Sequence, residues 1–250
     1  MFPEINRHGL SGNQLKLVAA VSMLADHIGY RIIGNGILIP MWEQGQESAF
    51  WLNLYYALRI IGRISFPIFC FLLVEGYFHT RSKGKYGLRL GLFGLLSEIP
   101  FDYMSTGKVL DWETQNVIFT LLLGFLMLWT LEEIRQRFHA AELLQMGVIV
   151  LFAGFSALLK SDYSYGGTML IALLYWFRQD RVLQCGIGLA WMALFLRTPM
   201  YVFGLALGFG AVYCYNGSRG IWKGRKIQYF FYLFYPLHML AVALLYHFIF

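Results

Sequence analysis

Lys16, Asp26 and His27 lie in an otherwise apolar stretch, Leu15-Lys-Leu-Val-Ala-Ala-Val-Ser-Met-Leu-Ala-Asp-His-Ile-Gly-Tyr-Arg31. An imidazole exchanges its proton near neutral pH, so it serves as a general base or as a transient carrier of an acyl group. Read as a helix, Lys16 and His27 are separated by three turns plus about 20°, so both share one face with about 16 Å of rise between them. Asp26 stands about 100° round from His27. A charged group at mid-membrane depth costs about 2.5–3.5 kcal/mol on insertion scales. The stretch places two ionisable groups there within one turn. The expectation is a functional site facing a bundle interior; the bland alternative is a core histidine held by its neighbours.

Other polar residues interrupt apolar sequence further along. Arg59 and Arg63 are an i,i+4 pair, as are Glu98 and Asp102, so each pair shares a helix face. Pro100 falls between the two acids and interrupts the segment, which can unwind a helix there. Two arginines and two acids on adjacent segments point to buried ion pairing. His238 follows Pro236 in the last apolar segment; the proline frees a carbonyl near Tyr232, which His238 or a water is expected to satisfy. The stretch Thr80–Arg89 reads as a basic, glycine-containing loop that either marks a membrane side or cradles phosphate. Gly204 and Gly208 have the small-xxx-small spacing of packed membrane helices. No nucleotide-binding glycine motif, serine nucleophile elbow or metal-ligand spacing is present in the sequence.

The elements that must position these groups follow from composition. The 250 residues are 58% hydrophobic and 14% charged, and mean hydropathy is +0.55. These values exclude an ordinary soluble domain. The chain reads as an all-α polytopic membrane protein, a single domain over residues 1–250 with about nine transmembrane helices. The apolar segments are 13–31, 58–79, 86–104, 116–134, 140–159, 164–178, 181–197, 199–216 and 227–250. Residues 47–57, with Trp51, Tyr55 and Tyr56, read as a separate interfacial helix, and 32–50 and 104–115 as longer outer loops. No cleavable leader is expected, since the first apolar segment holds Lys, Asp and His.

Placing the N-terminus in the cytoplasm puts Arg7, Lys16, Arg81, Lys83, Lys85, Arg89, Arg135, Arg137, Arg178, Arg181, Arg219, Lys223, Arg225 and Lys226 on the inner side. Only Arg31, Arg59, Arg63, Lys108, Lys160 and Arg197, six of the 20 basic residues, fall on the other. The positive-inside rule then gives N-in, C-out in a bacterial inner membrane. The three cysteines, Cys70, Cys185 and Cys214, lie in apolar segments at irregular spacing and imply neither disulfides nor a metal knuckle.

Several blocks, in order along the chain, resemble the TraX family. They are Leu15-Lys16-Leu17 with Met23–Gly29, Gly62–Phe69 with Glu75-Gly76-Tyr77, Ser97–Asp102, Asn116–Thr120 and Phe231–His238. The resemblance implies a membrane-embedded acyltransferase whose founding activity is N-acetylation of a pilin N-terminus. The ten residues between Lys16 and His27 are also similar to the basic-x10-His motif of the wider transmembrane acyltransferase superfamily. That group includes the acyltransferase-3 proteins and heparan-glucosaminide N-acetyltransferase. There the histidine is catalytic and the donor is cytosolic acetyl-CoA.

On this reading the catalytic set is His27, Asp26, Glu98 and Asp102, with Glu98 or Asp102 orienting the His27 ring. Lys16, Arg63, Arg81, Lys83 and Lys85 would meet the donor, acetyl-CoA. Arg59, Asn116, Tyr235 and His238 would meet the acceptor, Asn116 and Tyr235 as donors to a developing oxyanion. The expected partners are the lipid bilayer, acetyl-CoA and an acceptor peptide or glycan at the outer face. Nucleic acid and metal are not expected, and a homo-oligomer is compatible with the pattern. The rival reading is a transporter or flippase with an intramembrane polar path.

Overall fold

The structure, a computed structural model, describes residues 9–138, 141–222 and 224–250. Of the basic residues used for orientation, Arg7, Lys223 and the side chains of Arg225 and Lys226 lie outside the described residues. Among the described residues every extended regular element is helical. Among the described residues, four stretches are long and apolar enough to cross a membrane: Gly12–Glu43, Ala49–His79, Val117–Arg137 and Tyr229–Ile249. Three shorter apolar helices, Glu142–Leu158, Arg181–Leu196 and Pro199–Tyr213, accompany them. Leu88, Leu92, Leu95, Leu96 and Ile99 stand exposed along one helix. Hydrocarbon favours such an outer surface and water does not. The protein is an all-helical membrane protein.

Helix α1 (Gly12–His27) begins where Ser11 and Gln14 form a capping box, the Gln14 Oε1 accepting from Ser11 N at 2.8 Å. It does not stop at Arg31. A π-helical segment, Ile28–Leu38, follows directly, closing i→i+5 bonds such as Ile39 N–H to Gly34 O. Helix α2 (Ile39–Glu43) completes one continuous stretch of 32 residues, and Gly45 at φ +69° turns the chain out of it. Residues 32–43 of the expected outer loop are therefore helical. In hydrocarbon an unbonded carbonyl has no water to turn to, and that outweighs the low helix propensity of Gly34 and Gly36.

Helix α3 (Ala49–Gly62) carries both the aromatic residues Trp51, Tyr55 and Tyr56 and Arg59. The expected interfacial helix at 47–57 is thus not separate. Arg63 and Ile64 join α3 to α4 (Ser65–His79). Helix α5 (Lys83–Thr106) leaves only residues 80–82 between itself and α4, so most of the expected basic loop is helix. It also runs through Pro100 without unwinding, a second case of the helix surviving a breaker. Helices α6 (Val117–Arg137), α7 (Glu142–Leu158), α8 (Ser164–Trp176), α9 (Arg181–Leu196), α10 (Pro199–Tyr213) and α11 (Arg225–Ile249) follow the remaining apolar segments closely.

The chain groups into two compact units. One comprises Cys70–Glu98 and Asp111–Phe195; the other lies within Glu4–Phe69, Ile99–Leu110 and Leu196–Phe250. In the first, α6, α7 and α8 pack around fully buried Phe125, Met127 and Leu128, with a hydroxyl chain from Thr120 to Ser161 (2.9 Å) to Ser156 (2.7 Å). In the second, α1 packs along α11 and α3. Leu15, Ala19 and Met23 form its buried i,i+4,i+8 face. Lys16 lies over the Phe231 ring, His27 meets His238, and Arg31 lies 3.9 Å from the Tyr246 ring centroid, so α1 and α11 run parallel. Gly204 and Gly208 of α10 lie against the carbonyls of Ile60 and Ile64, the close packing expected of that spacing.

Candidate active site

Every residue of the central cluster belongs to the second unit. His27 is the last residue of α1, at the point where the helix widens into the π-helical segment. Widened turns of this kind re-aim the side chains beside them and recur at functional sites. His27 Nδ1 lies 2.8 Å from His238 Nε2. The two rings are parallel within 2° with centroids 4.9 Å apart, so the contact runs edge to edge between ring nitrogens. His238 is 5% exposed and its Nδ1 donates to the carbonyl of Phe234 at 2.7 Å. Phe234 stacks on the His238 ring at 4.8 Å, and Tyr235 meets it edge-on at 5.8 Å. The bond expected from His238 to a carbonyl near Tyr232 is thus made to Phe234, one full turn before the histidine.

Asp26 points away from His27, onto α3. Its two oxygens accept separately from Arg59 Nη1 at 2.6 Å and Arg63 Nη2 at 2.7 Å. Arg63 Nε also donates to the Arg59 backbone carbonyl at 3.2 Å, which fixes the Arg63 guanidinium against the turn before it. Arg59 lies over the Tyr30 ring and Arg63 over the Tyr201 ring, at 5.4 and 5.0 Å. The i,i+4 reading of the arginines holds, but the acid that closes on both is Asp26. Asp26, which the sequence reading left out of that pairing, reaches both because α3 packs on α1. Asp26 accordingly holds helices together, beside the histidine pair.

The remaining sequence candidates divide by unit. Lys16 is half-buried in the second unit, on the same side of α1 as His27, with its Nζ 5.7 Å from the Phe231 centroid. Asp102 is buried there too, at 1% exposure. The orientation of the His27 ring expected from Glu98 or Asp102 falls instead to His238, which occupies Nδ1. In the first unit, Glu98 accepts a short hydrogen bond from Asn116 Nδ2. That same nitrogen donates to the Gly94 carbonyl at 2.9 Å, and Asn116 Oδ1 caps α6 through Ile118 N. Both donor contacts of the Asn116 amide are made within the first unit, and its oxygen caps α6. Lys83 opens α5 and donates to Tyr77 Oη at 2.6 Å, while Arg81 and Lys85 are exposed. Sequence reading also misses the parts played by Gly62, Tyr30 and Tyr201 around Asp26. Only the i,i+4 arginines hint that an acid must lie opposite them.

A family model described as "TraX protein" matches residues 11–246. The chain belongs to the TraX family. It is also 29% identical over 251 residues to the probable fimbrial assembly protein FimC, serogroup H1, of Dichelobacter nodosus, covering 92% of this chain and 93% of that protein. No solved structure matches the chain. The TraX match contains the whole cluster, from Lys16 through Asp26, His27, Arg59 and Arg63 to His238. The arrangement supplies a ring nitrogen for proton transfer, held by a second histidine, with Lys16 three turns earlier on the same side of α1.

Proposed function

We propose that this TraX-family protein is a membrane acetyltransferase. It moves an acetyl group from cytosolic acetyl-CoA to an amine or hydroxyl of a peptide or glycan at the outer face of the bacterial inner membrane. The observation that carries this reading is the His27–His238 contact at 2.8 Å inside a helical membrane unit. A histidine pair at that depth has little structural reason to exist, since an apolar pair would pack at lower cost. Orientation is N-in, C-out with about nine spans, on the charge distribution described above; the parallel course of α1 and α11 agrees with chain ends on opposite sides. The relative's printed description, fimbrial assembly, favours a peptide acceptor of the fimbrial kind.

In the reaction, Nε2 of His27 takes the proton of the acceptor amine or hydroxyl as that nitrogen or oxygen bonds to the thioester carbon. The C–S bond breaks, and the CoA thiolate takes the proton from His27. Alternatively Nε2 itself takes the acetyl group and passes it on. Lys16, on the cytoplasmic end of the same face, meets an anionic part of the donor, with Arg81, Lys83 and Lys85 as further inner-side cations. Purified protein in proteoliposomes, supplied with acetyl-CoA labelled in the acetyl group, tests the reading. Acetyl-CoA consumed with stoichiometric release of CoA thiol supports it; a thioester left intact, or carried across unaltered, contradicts it.

A further inference from the structure

The bonds around the histidine pair fix which nitrogen carries which proton. A carbonyl oxygen has lone pairs only, so the 2.7 Å contact between His238 Nδ1 and the Phe234 carbonyl requires a proton on Nδ1. A neutral imidazole carries one proton, so Nε2 of His238 then holds a lone pair. That lone pair faces His27 Nδ1 at 2.8 Å, in parallel rings. His27 Nδ1 must therefore be the donor, which leaves the lone pair of His27 on Nε2, the nitrogen that faces away from His238. Phe234 stacked on one face of the His238 ring and Tyr235 at its edge hold that ring in place, and its 5% exposure keeps water from competing for Nε2. The chain is Phe234 C=O, His238, His27, reacting group.

We infer that His238 is the positioning residue of the transfer reaction: it sets the tautomer of His27 and shares the charge that His27 gains. The inference rests on the proposed acyl transfer. When His27 Nε2 takes a proton from the acceptor, the ring becomes an imidazolium. Its Nδ1 proton is then strongly held by, or passed to, His238 Nε2, and the carbonyl of Phe234 steadies the charge through Nδ1–H. When the CoA thiolate leaves, the proton returns through the same nitrogen, so the relay ends as it began. A carboxylate performs this orienting task in serine hydrolases. In a bilayer interior a neutral imidazole does so without a permanent buried charge, which hydrocarbon penalises.

Two measurements decide it. The first is 15N NMR of histidine-labelled protein in nanodiscs, with the His27 signals taken as those lost in His27→Ala. The wild type should show His27 protonated at Nδ1 and not at Nε2, and His238 likewise. A His27 carrying its proton on Nε2 overturns the relay. The second is turnover of acetyl-CoA with water as acceptor, followed by thiol release, in His238→Leu and His238→Gln. Leucine offers no acceptor, and kcat should fall about ten- to a hundred-fold with the KM for acetyl-CoA unchanged, as when an outer partner of a working histidine is removed. Glutamine places an amide oxygen as many bonds from Cβ as Nε2, so it should accept from His27 and restore most of kcat. Glutamine no better than leucine, with both variants folded, overturns the positioning role. Absence of turnover in the wild type strikes the acyl-transfer reading itself, and the tautomer then decides the relay alone.

Discussion

The backbone of Gly62 and the carboxylate of Asp26 lie in contact: a β-carbon at residue 62 would stand where Asp26 Cβ, Cγ and Oδ1 already are. The neighbouring atoms are a short side chain bound to two arginines, so nothing nearby can give way. Gly62→Ala should destabilise the protein by about 1–3 kcal/mol, the cost of overpacking a filled site. Thermal unfolding in detergent, followed by tryptophan fluorescence, checks it. An unchanged melting temperature would mean that α1 and α3 do not approach each other this closely.

Asp26 answers two guanidiniums whose side chains are only 18% and 10% exposed. Removing the acid takes from both arginines the carboxylate that each contacts, in a poor solvent for charge. Asp26→Ala should cost about 3–5 kcal/mol. Replacing all three residues together, with Asp26→Leu, Arg59→Met and Arg63→Met, should cost much less than the single change. A triple-mutant cycle on melting temperature reads the difference. Strict additivity would show that the three do not act as one unit.

Asn116, fully buried, caps α6 and holds Glu98. Asn116→Ala should lower stability by about 0.5–2 kcal/mol for the cap alone, with kcat per folded molecule nearly unchanged. A residue that donates to a transition-state oxyanion behaves differently, losing about 10²–10³ in kcat on removal. A drop of that size in a fully folded variant would return Asn116 to the reaction.

The sequence makes some of this site legible and hides the rest for a physical reason. Helical periodicity carries the Lys16–His27 alignment across eleven residues, and in the structure both meet α11. Periodicity says which residues share a face of one helix, and nothing about which helix lies opposite. Hence Arg59 and Arg63 are recognisable as a pair while their acid is not, with Asp26, Glu98 and Asp102 all available. The His27–His238 contact spans 211 residues and has no local signature at all. The helix ends fail differently. Glycine and proline signal a break in water, where released carbonyls are solvated. Within an apolar stretch that alternative is missing, and so Gly34, Gly36 and Pro100 all sit inside helices.

Orientation has a direct test. Lys85 and Lys108 are both exposed and stand on opposite sides in the N-in arrangement. Cys214 is exposed and Cys70 and Cys185 are buried, so Cys214→Ser gives a silent background. On that background an impermeant thiol reagent should label Lys108→Cys in intact cells or spheroplasts, and Lys85→Cys only after the membrane is opened. The reverse pattern would invert the topology and with it the direction of acetyl transfer.

His27 carries the proposed chemistry. The ring is anchored through one nitrogen by His238 and aligned with Lys16, and no ion pair of the α1–α3 cluster depends on it. His27→Ala should therefore insert and fold with a melting temperature close to that of the wild type. Loss of a general base typically costs about 10²–10⁴-fold in rate, and loss of a covalent carrier costs more. The measurement is acetyl transfer from labelled acetyl-CoA by wild type and His27→Ala, side by side in proteoliposomes. Transfer should fall at least about a hundred-fold in the variant. Transfer at the wild-type rate from the folded variant would contradict the catalytic role and leave His27 as a histidine of the core.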